Sequence, residues 1–388
     1  MSDKIKIYIN TLPVHNATGG MKTFLLELLY ALAKRPEKYF QYYLICSPSN
    51  KNIFDEIIQD KSFERMVVQV NSLNPLTRIL FEQFKLNKLL KATPNSILLN
   101  ICNVAVMNCS VPQVTILQAP LSIAALRKTL PQKYIVLSKL HKIYYNLFVM
   151  RSIKISDKTI AVSEFMRQFL GSMQHKVEVI HEGVNLEQFK NINEATVLEN
   201  TEPYILSIST LFPYKNMDML LQAYSILKQK GFKQKLVIGG RDPDGKQLDI
   251  LRSIAKELNI EADVNFLGLV PYNKVPALYK NAELFLFLSS VETFGLPVLE
   301  AMVSGVPVIA SDKMSIPEVV NDAGILVNPD NTKEIADKME YVLSSQEIKN
   351  KMIAKGKENV LLFNWDTTAE KFEKIFHDTV AKNFSAKL

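Results

Sequence analysis

The chain is poor in the residues that anchor proteins by special chemistry. It has three cysteines, Cys46, Cys102 and Cys109, spaced for neither a disulfide framework nor a zinc site. That suits a reducing compartment, and a cytoplasmic location is expected. Its five histidines form no HxxxH pair, so no bound metal is expected. No apolar run approaches the roughly eighteen residues of a membrane-spanning helix. The opening MSDKIKIYIN reads directly as a strand, so no secretory leader is expected. The G-x-G-x-x-G fingerprint is missing, which argues against a dinucleotide site. Repeats and low-complexity tracts are missing too.

Acid is missing locally. From Gln83 to Ser156 there is no Asp or Glu, while ten Lys or Arg occur. Two readings fit. One is a basic face that meets anionic lipid or an anionic acceptor, with the interleaved aromatics of residues 133–155 suiting an interfacial helix. The other is a helix packed on a sheet by its apolar face, with a solvated basic rim. Peripheral contact with an anionic membrane is therefore one expectation, and no nucleic-acid partner is expected.

What is present is enough apolar sequence for two cores. A chain of 388 residues exceeds one ordinary domain. Short apolar runs alternate with helical periodicity: Lys4–Asn10, Gln41–Cys46, Arg65–Val70, Ser96–Asn100 and Gln113–Leu117 read as strands, with helical segments such as Met21–Lys34 and Thr77–Leu90 between them. This βαβ rhythm implies a mainly parallel sheet. The polar, aperiodic stretch Lys190–Pro203 reads as a linker, separating a first domain, 1–189, from a second, 204–366. In the first, strand, Gly19-Gly20 and helix form a phosphate-cradle layout, although a glycine pair also serves as a plain turn.

The most informative stretch is Glu283 to Asp312, ELFLFLSSVETFGLPVLEAMVSGVPVIASD. It reads as buried strand, loop, short helix and buried strand. Pro297 suits the first position of a helix, and Gly305 suits its end. Glu292 falls in the loop, free to face a ligand. Glu300 is expected in the first helical turn, where an acceptor-only carboxylate can hold a vicinal diol such as a ribose. The backbone N–H groups of Thr293, Phe294, Gly295 and Leu296 are expected in the same crevice. Acids are also common in first helical turns without any ligand.

This stretch closely resembles the Glu-x7-Glu region of the retaining GT-B glycosyltransferases of family 4 (glycosyl transferases group 1), E-G-F-G-L-P-x-L-E-A-M-A-x-G-x-P-V. Other segments are similar to the same family. Val177–Phe189 (VEVIHEGVNLEQF) matches V-I-x-N-G-V-D-x-x-x-F, with His181-Glu182 in place of Pro-Asn. Thr210-Leu-Phe-Pro-Tyr-Lys215-Asn216 matches G-R-x-x-x-x-K-N, with Ser209 and Thr210 in place of Gly and Arg. Ile316–Val319 and Gly324–Val327 fit a P-E-V…A-G pattern.

The resemblance implies an α/β, GT-B fold of two Rossmann-like domains facing a cleft, with a C-terminal helix, about 367–388, packing back on the first domain and Trp365 as its anchor. It implies transfer of a hexose from a nucleotide-diphospho-sugar to a glycan, lipid-linked or other acceptor, with no cofactor. Glu292 and Lys215 would be catalytic. Lys215, Thr210, Gly19, Gly20 and Leu296 would hold the diphosphate, Val270 would border the base, Glu300 would hold the ribose, and Glu292, Phe294 and Gly295 the sugar. His15 and Gln118 would contact sugar or acceptor. Leu117 and Gln118 stand where many members carry a histidine. That departure, with Thr210, keeps open a catalytically impaired partner subunit that binds the sugar nucleotide. A GT-B phosphorylase or epimerase and a Rossmann dehydrogenase fit less well. Asp242-Pro-Asp244-Gly reads as a surface turn rather than a metal motif.

Overall fold

The structure is a computed structural model that describes residues 4–15, 19–36, 39–90, 95–118, 139–190 and 202–385. Most of the expected linker, part of the basic acid-free stretch (119–138) and the last three residues of the expected C-terminal helix lie outside the described residues. The chain forms two compact units, Met1–Gly183 with Trp365–Leu388, and Val184–Asn364. The division falls at Gly183, ahead of the expected linker. Beyond it the chain already bonds within the second unit: the Val184 amide donates to the Phe363 carbonyl (3.0 Å), and Phe189 packs against Tyr279 (ring centroids 5.9 Å apart).

The first unit holds β1 (Ile5–Asn10), β2 (Phe40–Cys46), β3 (Phe63–Val67), β4 (Ser96–Asn100), β5 (Gln113–Leu117), β6 (Lys158–Ala161) and β7 (Val177–Val179). They form one sheet in the order β3-β2-β1-β4-β5-β6-β7. Every pairing in it is parallel. Parallel strands covered on both faces read as near-continuous apolar runs; β4 and β5 are buried along their whole length, and their polar residues bond one another, Asn100 Nδ2 donating to Gln113 Oε1 (3.1 Å).

The helix Gly20–Lys34 buries Phe24, Leu25, Leu28, Leu29 and Leu32, the periodic residues of its sequence. The expected helix Thr77–Leu90 is not uniform. An α segment, Pro75–Phe81, is capped by the Asn74 side chain. It passes through a π turn, Glu82–Leu86, before Asn87–Leu90 resumes as α. Such a widening carries a side chain out of register with its helix. Here Glu82 is buried and accepts a bond from Asn10 Nδ2 (3.1 Å).

The chain returns to the first unit through the helix Trp365–Ser385. Trp365 is 7% exposed and packs edge-on to Phe24, centroids 5.6 Å apart. Phe376 meets Phe40 (5.7 Å), and Arg35 pairs with Glu373 (2.8 Å). Gly183 makes room for the start of this helix: a Cβ there would lie 2.4 Å from the Trp365 nitrogen. Replacing Trp365 with alanine is expected to cost about 3–5 kcal/mol, read from urea unfolding of the full chain by far-UV circular dichroism. A cost below about 1 kcal/mol would mean that the helix docks without its anchor.

The second unit holds β8 (Tyr204–Ile208), β9 (Lys235–Gly239), β10 (Val264–Gly268), β11 (Ala282–Phe287), β12 (Val308–Ser311) and β13 (Ile325–Val327). Their order is β10-β9-β8-β11-β12-β13, again with parallel pairings. Both sheets are Rossmann-like. The direction of strand succession reverses beside β8, between β8 and β11, so the crevice outside their carboxyl ends is a topological switch point, where such sheets take ligands.

Candidate functional site

The loops that leave β8 and β11 are tied together at that switch point. Asn216 takes a left-handed conformation (φ 55°), which asparagine tolerates. Its side chain donates to the Leu288 carbonyl (2.7 Å) and to Ser290 Oγ (2.6 Å). The Ser290 amide in turn donates to the Tyr214 carbonyl (2.8 Å). This lacing sets Lys215, on the first loop, against Glu292, on the second. Lys215 Nζ donates to Glu292 Oε1, and both side chains are largely buried. The ammonium also lies 5.2 Å from the centre of the Phe287 ring and 5.5 Å from that of Tyr214, where ring faces favour a cation. Burial, followed by the Glu292 charge, pushes the Tyr214 hydroxyl pKa above its usual value. Glu292 is therefore not free, as its loop position suggests. Its carboxylate is held by the lysine.

Behind Glu292 the loop is pinned by Ser315, whose buried hydroxyl bonds to the carbonyls of Glu292 (3.1 Å) and Phe294 (3.0 Å). Gly295 follows with φ 118°, a conformation that favours glycine, and a Cβ there would lie 2.6 Å from Ile316 Cδ1. The helix Leu296–Val303 begins at once, with Pro297 in its first turn. It ends in a Schellman motif: the Val306 amide bonds to Ala301 and the Gly305 amide to Met302, both at 3.0 Å.

Glu300 is placed differently from expectation. No acid lies in the first turn of this helix. The helix starts at Leu296, so Glu300 falls one turn in and its carboxylate is held by side chains instead. Tyr272 donates to Oε1 (2.9 Å) and Tyr279 to Oε2 (3.1 Å). Glu300 is 5% exposed and Tyr272 38%, so the Tyr272 side is the open one. Burial first, then the charge of Glu300, raises the Tyr279 hydroxyl pKa well above normal. It therefore stays a donor.

Thr210 follows β8 half-buried, and its hydroxyl makes no hydrogen bond among the described residues. Its neighbour Leu211 donates to the Arg241 carbonyl (2.8 Å). Arg241, which directly follows Gly239-Gly240, is half-buried, and its guanidinium has no partner among the described residues. Val270, after β10, lies close to Gly239: a Cβ on that glycine would be 3.3 Å from Val270 Cγ2. The sequence reading missed Arg241, Tyr272, Tyr279, Ser315 and the tying role of Asn216. A basic residue beside the paired glycines was the one available signal for Arg241. The tyrosines carry none. Asp242 accepts from the amides of Gly245 (3.1 Å) and Leu248 (2.9 Å), so it closes a turn.

The remaining candidates belong to the first unit. Gly19 (φ 45°) heads the helix Gly20–Lys34, and a Cβ on Gly19 or Gly20 would meet nothing within 4 Å. His15 lies in the loop after β1, its pKa lowered by burial and then by the Arg78 charge. Leu117 is fully buried in β5. Gln118 follows it, its amide bonded to Asn103 Oδ1 (2.6 Å) and its side-chain oxygen buried without a partner among the described residues.

Comparison with known proteins agrees with this geometry. Residues 188–359 match the family described as glycosyl transferases group 1, and residues 18–188 match glycosyltransferase family 4. The chain is a member of the family 4 glycosyltransferases. Among curated relatives, it is 35% identical over 164 residues to the O-antigen chain mannosyltransferase B of Escherichia coli, covering 42% of each chain. It is 32% identical over 178 residues to the alpha-monoglucosyldiacylglycerol synthase of Streptococcus pneumoniae, covering 43% of this chain and 40% of that one. The chain thus spans about half the length, or less, of these relatives. Among solved structures, Anabaena HepE, in complex with UDP and glucose, superposes with a TM-score of 0.75 at 18% identity, over 96% of this chain and 100% of that one. WaaG, a glycosyltransferase involved in lipopolysaccharide biosynthesis, gives 0.67 at 16% identity, over 96% and 99%. These two are GT-B proteins, and the family 4 chain shares their fold.

Proposed function

We propose that this family 4 chain transfers a hexose from a nucleotide-diphospho-sugar to a glycan or lipid-linked acceptor, with retention of anomeric configuration and without a metal or other cofactor. The observation that carries the proposal is the Lys215–Glu292 pair at the switch point of the second unit, on the segment that leads into Glu300. In this reading Glu300 holds the ribose hydroxyls, taking the place of the Tyr272 bond on its open side. Val270 borders the base. Lys215, Thr210 and the amide of Leu296 hold the diphosphate, with the Gly19-Gly20 turn as a further phosphate contact. Glu292 and the amides of Thr293, Phe294 and Gly295 hold the sugar.

The bond from the anomeric carbon to the phosphate oxygen breaks as the bond to the acceptor hydroxyl forms on the same face. The departing phosphate oxygen takes the acceptor's proton, so no protein nucleophile is required. Positive charge and amides aimed at the leaving diphosphate do the chemical work, and positioning does the rest. Gln118 and His15 would contact sugar or acceptor. The protein would work in the cytoplasm, in peripheral contact with an anionic membrane through its acid-free basic stretch. Failure to co-sediment with anionic vesicles would remove that last element.

A thermal-shift panel of UDP, GDP, ADP and dTDP, with and without their sugars, tests the donor. A ligand at a hundred times its dissociation constant stabilises by about 2.7 kcal/mol. No shift with any nucleotide and no sugar transfer would overturn the proposal. Thr210, in the place of an arginine, favours one second reading: a partner subunit that binds the nucleotide without turning it over. Nucleotide binding by the purified chain without product would select it. Glu300→Ala is expected to weaken nucleotide binding by about 1–3 kcal/mol, the cost of lost charged hydrogen bonds. Unchanged affinity by titration calorimetry would remove Glu300 from the ribose.

A further inference from the structure

The first unit has a polar cluster of its own, at its own switch point. From β1 the chain steps outward to β2 and β3, then returns to the other side of β1 with β4. The crevice outside the carboxyl ends of β1 and β4 is where such a sheet takes a ligand. Both strands end in asparagine, Asn10 and Asn100. The helical run after Pro75 is tied to this end of the sheet. Asn10 bonds Glu82, while Gln83 donates to the Ala105 carbonyl (3.2 Å) and accepts from the Met107 amide (2.9 Å).

Arg78 stands one turn before Glu82 and pairs with it by charge alone, without a hydrogen bond. Its side chain is 16% exposed, and its Nε lies 3.9 Å from Glu82 Oε1, beyond hydrogen-bond reach. That Nε is buried and has no acceptor among the described residues. A guanidinium has five donors in a rigid fork, and a buried donor left unmade is costly and uncommon. Burial raises the Glu82 carboxyl pKa, which weakens the counter-charge it offers Arg78. His15 lies in the loop after β1, and burial, then the Arg78 charge, lowers its pKa.

We propose that this crevice binds the phosphate ester of the acceptor, with Arg78 as its forked ligand and His15 beside it. A phosphate ester suits the fork, because its oxygens accept two parallel N–H bonds from a guanidinium. The assignment rests on the donor–acceptor reading above and narrows its acceptor to a phosphorylated one, either a free polyol phosphate or a lipid phosphate headgroup.

The test is titration calorimetry of the full chain with glycerol 3-phosphate and with glycerol, each after saturation with whichever nucleotide binds. Glycerol 3-phosphate is expected to bind and glycerol not. Arg78→Gln should weaken the phosphate probe by about tenfold or more, and Arg78→Lys by less, because a point charge keeps attraction but loses the fork. Nucleotide affinity and the thermal midpoint should stay as in the parent. Should Arg78→Gln fail to fold, the weaker binding of Arg78→Lys carries the test.

Phosphatidic acid vesicles, which present a phosphomonoester, with phosphatidylcholine as control, separate the sources. Capture that glycerol 3-phosphate competes away assigns a lipid phosphate, and binding of the soluble ester alone assigns a free one. Equal affinity of parent and Arg78 variants for glycerol 3-phosphate would overturn the proposal, as would no binding of any phosphate probe. Loss of nucleotide binding alone would count against the donor reading and leave the phosphate site standing.

Discussion

Lys215→Ala is expected to lower kcat/KM for sugar transfer by about 10²- to 10³-fold, the usual cost of removing one group that stabilises developing charge. Two effects add. The leaving diphosphate would lose the cation proposed for it, and the Glu292 carboxylate would lose the lysine that holds it. The pair is largely buried, 12% and 16% exposed, so water does little to replace the missing ammonium. Initial rates with the donor that stabilises the protein would measure this. A loss of less than about threefold would make Lys215 a structural partner of Glu292 rather than a catalytic group.

Gly240→Ala is expected to be the most damaging small substitution in the second unit, costing about 3–5 kcal/mol. Gly240 has φ 152°, and a Cβ there would lie 1.7 Å from the Ser209 carbonyl oxygen. That oxygen cannot swing away. The Ser209 amide is bonded to the Gly239 carbonyl (3.0 Å), the Gly240 amide to Gly268 (2.8 Å) and the Leu211 amide to Arg241 (2.8 Å). Relief would have to move Thr210 and Arg241 together, so nucleotide binding should fall with stability.

Gly245→Ala is the control. Its φ is 66° and a Cβ would meet nothing within 4 Å, so it should cost only the backbone strain, about 1–2 kcal/mol. The sole tryptophan, Trp365, lies in the first unit, so its fluorescence reports on the wrong half. Hydrogen exchange of β8 and β9 amides is the suitable measurement. Equal protection in the two variants would show that the close approach is not what requires glycine at 240.

This glycine also shows where sequence reading stops. Gly239-Gly240 reads as a loop made for close approach, and it is one. What approaches is the chain's own Ser209 carbonyl, about thirty residues away, and spacing alone does not name that partner. The same holds for the site. Glu292, Gly295, Pro297 and Glu300 were legible because their spacing is local: strand, loop and helix start are decided within a few residues. Lys215 and Glu292 meet across 77 positions, and Tyr272 and Tyr279 reach Glu300 across 28 and 21. Glu300 was expected to rest on the helix dipole, but it lies one turn into a helix that starts at Leu296, and two phenols hold the carboxylate.

Two parallel α/β halves, the places of their strands and a Glu-x7-Glu segment after a buried strand are written into the local order of the residues. Alternation, periodicity and turn residues act over a few positions, and that is the range of the forces they report. Which loops face each other within each unit depends on long-range packing. Sheet order and register set that, and they place Asn216 against Ser290, Trp365 against Phe24 and Gly183, and Arg78, its Nε without a hydrogen bond among the described residues, beside Glu82 at the carboxyl end of β1.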